Sequence, residues 1–169
     1  MKTRVYLAML LLILPVQASL FGPLSLAGIK PDLPLALVYS IGLLTGPAEA
    51  AFAGMAVGLV LDIGSASLIG MNAMTKGLIG LGAGLLGRQV LDIASPMNAV
   101  FLSAFSLAES IIIALLLQTF YGEVPFFSLF LERMLPQALY TAVLGTLLLG
   151  FISRRKVLGA LVRRSLLKE

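Results

Sequence analysis

Four charged side chains stand inside or beside otherwise apolar stretches of this chain: Asp62, Lys76, Glu109 and Arg133. In hydrocarbon each would cost about 2.5–3.5 kcal/mol at a helix centre, so each needs a partner or a route to water. Asp62 closes one apolar run and Lys76 opens the next, so these two are expected to pair. Glu109 sits midway along a long run and Arg133 about two turns into the last one, which predicts a second pair. Such pairs either brace a helical bundle or carry a transport or catalytic step. The residue types around them argue for bracing. An intramembrane aspartyl protease uses Gly-x-Gly-Asp, whereas Asp62 stands in Val60-Leu61-Asp62-Ile63-Gly64. Rhomboid chemistry uses a Ser–His pair, and the chain has no histidine. With no cysteine either, disulfides, thiol chemistry and Cys/His zinc sites are excluded. No Walker loop or phosphate-cradling glycine turn follows a strand, and Gly77-Leu78-Ile79-Gly80 falls inside a predicted helix. The expectation is a protein that is not an enzyme and has no cofactor.

The composition says what surrounds these charges. Hydrophobic residues make up 59% of 169, and charged ones only 12%; the mean hydropathy is +1.04. A water-soluble domain must coat its core with charge, and 12 basic plus 8 acidic side chains are too few. Lipid is therefore the outer solvent. The net charge of +4 does not indicate nucleic acid, because the bases collect at the two chain ends.

Glycine and proline divide the chain into six apolar segments, residues 5–20, 32–44, 47–63, 73–87, 97–121 and 127–152, which predicts an all-α integral membrane protein with a six-helix transmembrane bundle over 1–152. Val16-Gln17-Ala18 resembles a signal-peptide cleavage site, but the first segment is expected to remain as a span. Asp32 opens a short helix, where its carboxylate satisfies free N–H groups. Thirteen residues there reach only about 20 Å, so this segment either spans a thinned region or forms half of a re-entrant hairpin with residues up to 63. Gly46-Pro47 with Glu49 starts the third helix, Asn72 is the expected cap of the fourth, and Pro136 is expected to bend the sixth. With both termini in the cytoplasm, nine bases lie inside, namely Lys2, Arg4, Arg88, Arg154, Arg155, Lys156, Arg163, Arg164 and Lys168. Only Lys30, Lys76 and Arg133 remain for the other side. That asymmetry follows the positive-inside rule.

Two further patterns stand out. Ala50, Gly54 and Gly58 lie four apart on one helix, Gly80 and Gly84 lie four apart on the next, and Gly77 and Gly87 flank that second pair. Small-residue rows let helix backbones approach closely, either within this bundle or against a partner's transmembrane helix. The tail, residues 153–169, places Val157, Leu158, Leu161 and Val162 on one side and Lys156 and Arg163 on the other. This is the pattern of a basic amphipathic helix on an anionic surface, contacted by Arg154, Arg155, Lys156, Arg163, Arg164 and Lys168. A plain stop-transfer anchor would read the same way.

The ordered series Lys30-Pro31-Asp32-Leu33, Gly46-Pro47 with Glu49-Ala50-Ala51, Gly54, Gly58-Leu59-Val60-Leu61-Asp62, Gly70-Met71-Asn72-Ala73 and Leu135-Pro136-Gln137-Ala138-Leu139-Tyr140 resembles the MreD family of bacterial rod-shape-determining membrane proteins. Thr141 and Thr146 depart from it, since relatives often carry Asn and then a second Pro there. The resemblance implies a scaffold of the cell-elongation machinery in the inner membrane. Its direct partner would be the bitopic protein MreC, with MreB, RodA and a class B penicillin-binding transpeptidase nearby. It also implies a fold similar to the S components of energy-coupling-factor transporters. The alternative expectation is a small-molecule or lipid-binding unit of that kind, with a pocket near Asp62, Asn72 and Lys76 under the loop from Phe21 to Asp32.

Overall fold

The computed structural model describes residues 28–64, 69–89, 95–122 and 125–154, most of which are helical. Helix α1 is Leu33–Thr45, α2 Pro47–Gly64, α3 Met71–Gln89 and α4 Asn98–Tyr121. A last rod consists of α5 (Phe126–Leu129), a π turn (Phe130–Met134) and α6 (Leu135–Arg154). The predicted first span, 5–20, and the tail beyond Arg154 lie outside the described residues. So the count of six helices and the surface-helix pattern of the tail stay at the level of the sequence.

Among the described residues, three helices are long and apolar enough to cross a membrane, namely Pro47–Gly64, Asn98–Phe120 and Phe126–Phe151. Their outer faces are apolar too. Phe52, Leu59 and Ile63 on α2, Leu115 and Phe120 on α4, and Phe127, Leu139 and Leu147 on the last rod are all exposed. A helix apolar on both faces suits hydrocarbon on one side and protein on the other.

Short α1 lies at the centre. Leu35, Val38 and Tyr39 on it are fully buried, and Leu35 and Tyr39 pack with Ile79 and Ala83 of α3, Leu102 of α4 and Leu149 of α6. Its N-cap is Asp32, whose Oδ1 accepts the Leu35 N–H at 2.8 Å, and Pro34 follows within the first turn. Gly46, at φ +118, ends it and turns the chain directly into Pro47 of α2. Helices α2 and α3 then cross antiparallel at very short range. A methyl group on Gly54 would overlap the Lys76 carbonyl, one on Gly58 the Asn72 carbonyl, and one on Gly80 the Ala50 carbonyl. Apolar burial no longer drives helices together in lipid, and close backbone approach supplies dispersion contact instead.

The sixth predicted segment contains the π turn just before Pro136. Here the Leu135 N–H reaches back five residues to the Phe130 carbonyl. Proline has no N–H to close on the Glu132 carbonyl, and its ring crowds that oxygen. One wider turn relieves the crowding without breaking the rod.

Candidate functional site

The buried charges meet at Lys76. Its side chain is 2% exposed, and Nζ donates to Asp32 Oδ2 at 2.9 Å and to Glu109 Oε1 at 2.8 Å. Thr75 Oγ1 donates to the same Glu109 oxygen at 3.1 Å, while the Asp32 N–H donates to Thr141 Oγ1 at 2.9 Å. One triad therefore ties the start of α1 to α3, α4 and α6. The local arithmetic is two carboxylates against one ammonium. Glu109 is also incomplete, because its second oxygen, Oε2, is buried and has no hydrogen-bond partner among the described residues.

Beside the triad lies a cavity of about 230 Å³. Its polar walls are Asp32, Glu109, Ser110, Arg133 and Gln137, and its apolar walls include Ile113 and Leu117. Helix α4 supplies one side, and the π turn and the start of α6 supply the other. Arg133 belongs to the π turn, so the wide turn that accommodates Pro136 also sets where this residue stands on the cavity wall.

Both ion pairs expected from the sequence are corrected. Asp62 does not pair with Lys76. Its Oδ2 accepts from the N–H groups of Gly70 and Ala73 at 2.9 and 3.2 Å, and its Oδ1 from the N–H and Nδ2 of Asn72 at 3.1 and 2.8 Å. Asp62, at the end of α2, thus caps α3 from outside, and Asn72, the expected cap, is the second residue inside the helix. Asn72 and Asp62 satisfy each other away from the cavity. Nor does Glu109 pair with Arg133, which is exposed and makes no ion pair among the described residues; the two share only the cavity. Linear order placed Asp62 and Lys76 at facing helix ends, but Lys76 lies beyond the capping turn and on the side facing α1 and α4.

The small residues fall between α2 and α3. Ala50, Gly54 and Gly58 meet Gly80, Lys76 and Asn72 respectively, Gly84 meets Pro47 of the turn, Gly77 meets the Met55 side chain, and Gly87 meets Leu43 of α1. Arg154 is the final residue of α6, and Arg155, Lys156, Arg163, Arg164 and Lys168 lie outside the described residues. Sequence reasoning gave no site role to Thr75, Ser110, Gln137 or Thr141, all short or neutral polar groups whose value depends on the helix opposite. It also passed over the buried bond from Tyr39 Oη to Asn98 Oδ1 at 2.9 Å. A phenol inside an apolar helix was the available signal, because a buried hydroxyl needs a partner.

No curated protein and no solved structure matches the chain, so nothing supports the expected likeness to transporter S components beyond the all-helical build. The family model for rod shape-determining protein MreD matches residues 2–154 of the 169. That stretch includes every residue of the triad, the cavity and the α2–α3 contact, and the chain belongs to the MreD family of rod-shape-determining membrane proteins.

Proposed function

We propose that this chain is a non-enzymatic, multi-pass scaffold of the bacterial inner membrane that binds MreC and supports lateral peptidoglycan synthesis near MreB, RodA and a class B penicillin-binding transpeptidase. The observation that carries the proposal is the family match over residues 2–154. Its physical basis is a bundle braced from within, which leaves whole apolar faces for a partner's single span. The α2–α3 glycine rows are spent on internal contact, so the docking face belongs among outward residues. Co-purification with MreC in detergent tests the partner. The chain has no native cysteine, so single cysteines at Phe52 and Leu59, at Leu81 and Leu85, or at Leu139 and Leu147 can locate the face by crosslinking. One face is expected to crosslink while the others stay silent. Failure to co-purify, or equal crosslinking from all three faces, would overturn this reading. The tail bases from Arg154 to Lys168 are proposed to hold the C-terminal segment on the anionic leaflet, at about 1 kcal/mol each; binding of the tail peptide to liposomes irrespective of anionic lipid would exclude that.

A second reading, a unit that binds a small molecule or lipid, is favoured by the cavity beside Glu109. The pocket is not where the sequence placed it, since Asp62 and Asn72 take no part in it.

A further inference from the structure

The geometry points to this cavity as a site for the headgroup of a phospholipid carrying a primary ammonium, with the ammonium on Glu109 and the phosphate on Arg133. The inference rests on the ligand-binding reading above and is independent of the partner reading.

Glu109 carries the first half. It is 3% exposed, it forms a wall of the cavity, and among the described residues its Oε2 has no hydrogen-bond partner while Oε1 accepts from both Lys76 and Thr75. A buried carboxylate oxygen without a donor is costly, and native proteins rarely leave one so. The missing donor should also be cationic, because Asp32 and Glu109 outnumber Lys76 by one charge. A primary ammonium offers three N–H donors and one positive charge.

Arg133 carries the second half. It lines the same cavity from the opposite wall, and among the described residues it has no ion pair. Its planar fork of donors matches a phosphate group. π turns recur at functional sites, and this one presents both Arg133 and Met134 to the cavity. A volume of about 230 Å³ is several times the ~30 Å³ share of one liquid water. It holds a headgroup, with Ile113 and Leu117 supplying apolar wall beside it. A zwitterion with ammonium and phosphate a few bonds apart fits this arrangement. A quaternary ammonium lacks the N–H, and an uncharged glycerol headgroup lacks the cation.

The test uses delipidated full-length protein in detergent, titrated with phosphatidylethanolamine, phosphatidylcholine or phosphatidylglycerol and read by native mass spectrometry. One phosphatidylethanolamine per chain should bind, about ten-fold or more tighter than phosphatidylcholine, because methylation removes a charge-assisted hydrogen bond. Glu109→Gln should abolish that preference. Arg133→Gln, at an exposed position, should fold normally and weaken both zwitterionic lipids about ten-fold. Ile113→Trp should fill the cavity and remove stoichiometric binding, which keeps the test decisive if Glu109→Gln does not fold. Equal binding of the three lipids, a folded Arg133→Gln or Ile113→Trp that binds as wild type does, or competition by free phosphoethanolamine at the lipid's own concentration would overturn the inference. Stoichiometric capture of another small molecule would also overturn it while leaving the broader ligand-binding reading in place.

Discussion

A lysine held between two carboxylates away from water is stabilising only relative to the same groups left unmatched. Removing Lys76 alone leaves Asp32 and Glu109 facing each other, and the loss should be large. Lys76→Met is therefore expected to destabilise the protein by about 3 kcal/mol or more, read as unfolding in a denaturing detergent titration. The triple variant Asp32→Asn, Lys76→Met, Glu109→Gln removes every charge at once and should recover part of that loss. A triple variant less stable than Lys76→Met would show that the ions themselves, rather than their mutual compensation, hold the bundle. Asp62 poses a separate case, since its carboxylate serves three backbone N–H groups at the start of α3. Asp62→Ala should cost about 1–2 kcal/mol, the usual scale of a lost helix cap, and should leave the Lys76 triad intact by crosslinking between α1 and α4. That the charges needed partners was legible from hydropathy alone. Which partners was not, because the answer depends on how far α1 is sunk between α3 and α4, and no local pattern encodes that offset.

At the scale of elements, glycine and proline made helix ends readable. Gly46-Pro47, Ser95-Pro96 and Pro125 each stand at or just before a helix start, for the reasons that exclude proline from helix interiors. The exception is Pro136, which sits inside the last rod and is met by a π turn rather than by a break. The glycine rows were readable as close-contact faces but not as to their partner, which only the antiparallel α2–α3 crossing supplies. That crossing makes a graded prediction. Gly54→Ala and Gly58→Ala force a methyl into a backbone carbonyl across the interface and should each destabilise by about 1–3 kcal/mol. Gly77→Ala crowds the flexible Met55 side chain and meets the Ala51 carbonyl only at ordinary contact distance, so it should cost less. Gly150→Ala on α6 meets nothing within 4 Å and should be neutral or stabilising by up to about 1 kcal/mol from helix propensity. Thermal unfolding in detergent ranks the four. If Gly54→Ala and Gly58→Ala unfold like wild type, α2 and α3 are not packed at backbone distance.

At the scale of the whole molecule, α1 does not run the length of its neighbours. Its N-cap Asp32 reaches Glu109 through Lys76, and Tyr39, nearly two turns along, reaches Asn98 at the start of α4. Helices α1 and α4 are therefore antiparallel, and eleven residues of α4, about 16 Å, separate the two contacts. Helix α1 begins near the middle of α4, which accounts for its shortness. Helix α4 itself has 24 residues, about 36 Å against a hydrocarbon thickness of ~30 Å, so it is long enough for its two ends to reach opposite faces. If the bases at Arg88 and Arg154 lie in the cytoplasm, the turn at Ser95 is inside, the turn at Pro125 is outside, and Lys30 opens toward the same side as Pro125. In intact cells an impermeant maleimide should label Pro125→Cys, label Lys30→Cys more slowly because of its depth, and spare Ser95→Cys until the membrane is permeabilised. Labelling of Ser95→Cys and Pro125→Cys from one side would mean that α4 does not cross. Labelling of Lys30→Cys only from the cytoplasm would invert the bundle, and the cavity beside Glu109 would then open toward the inner leaflet.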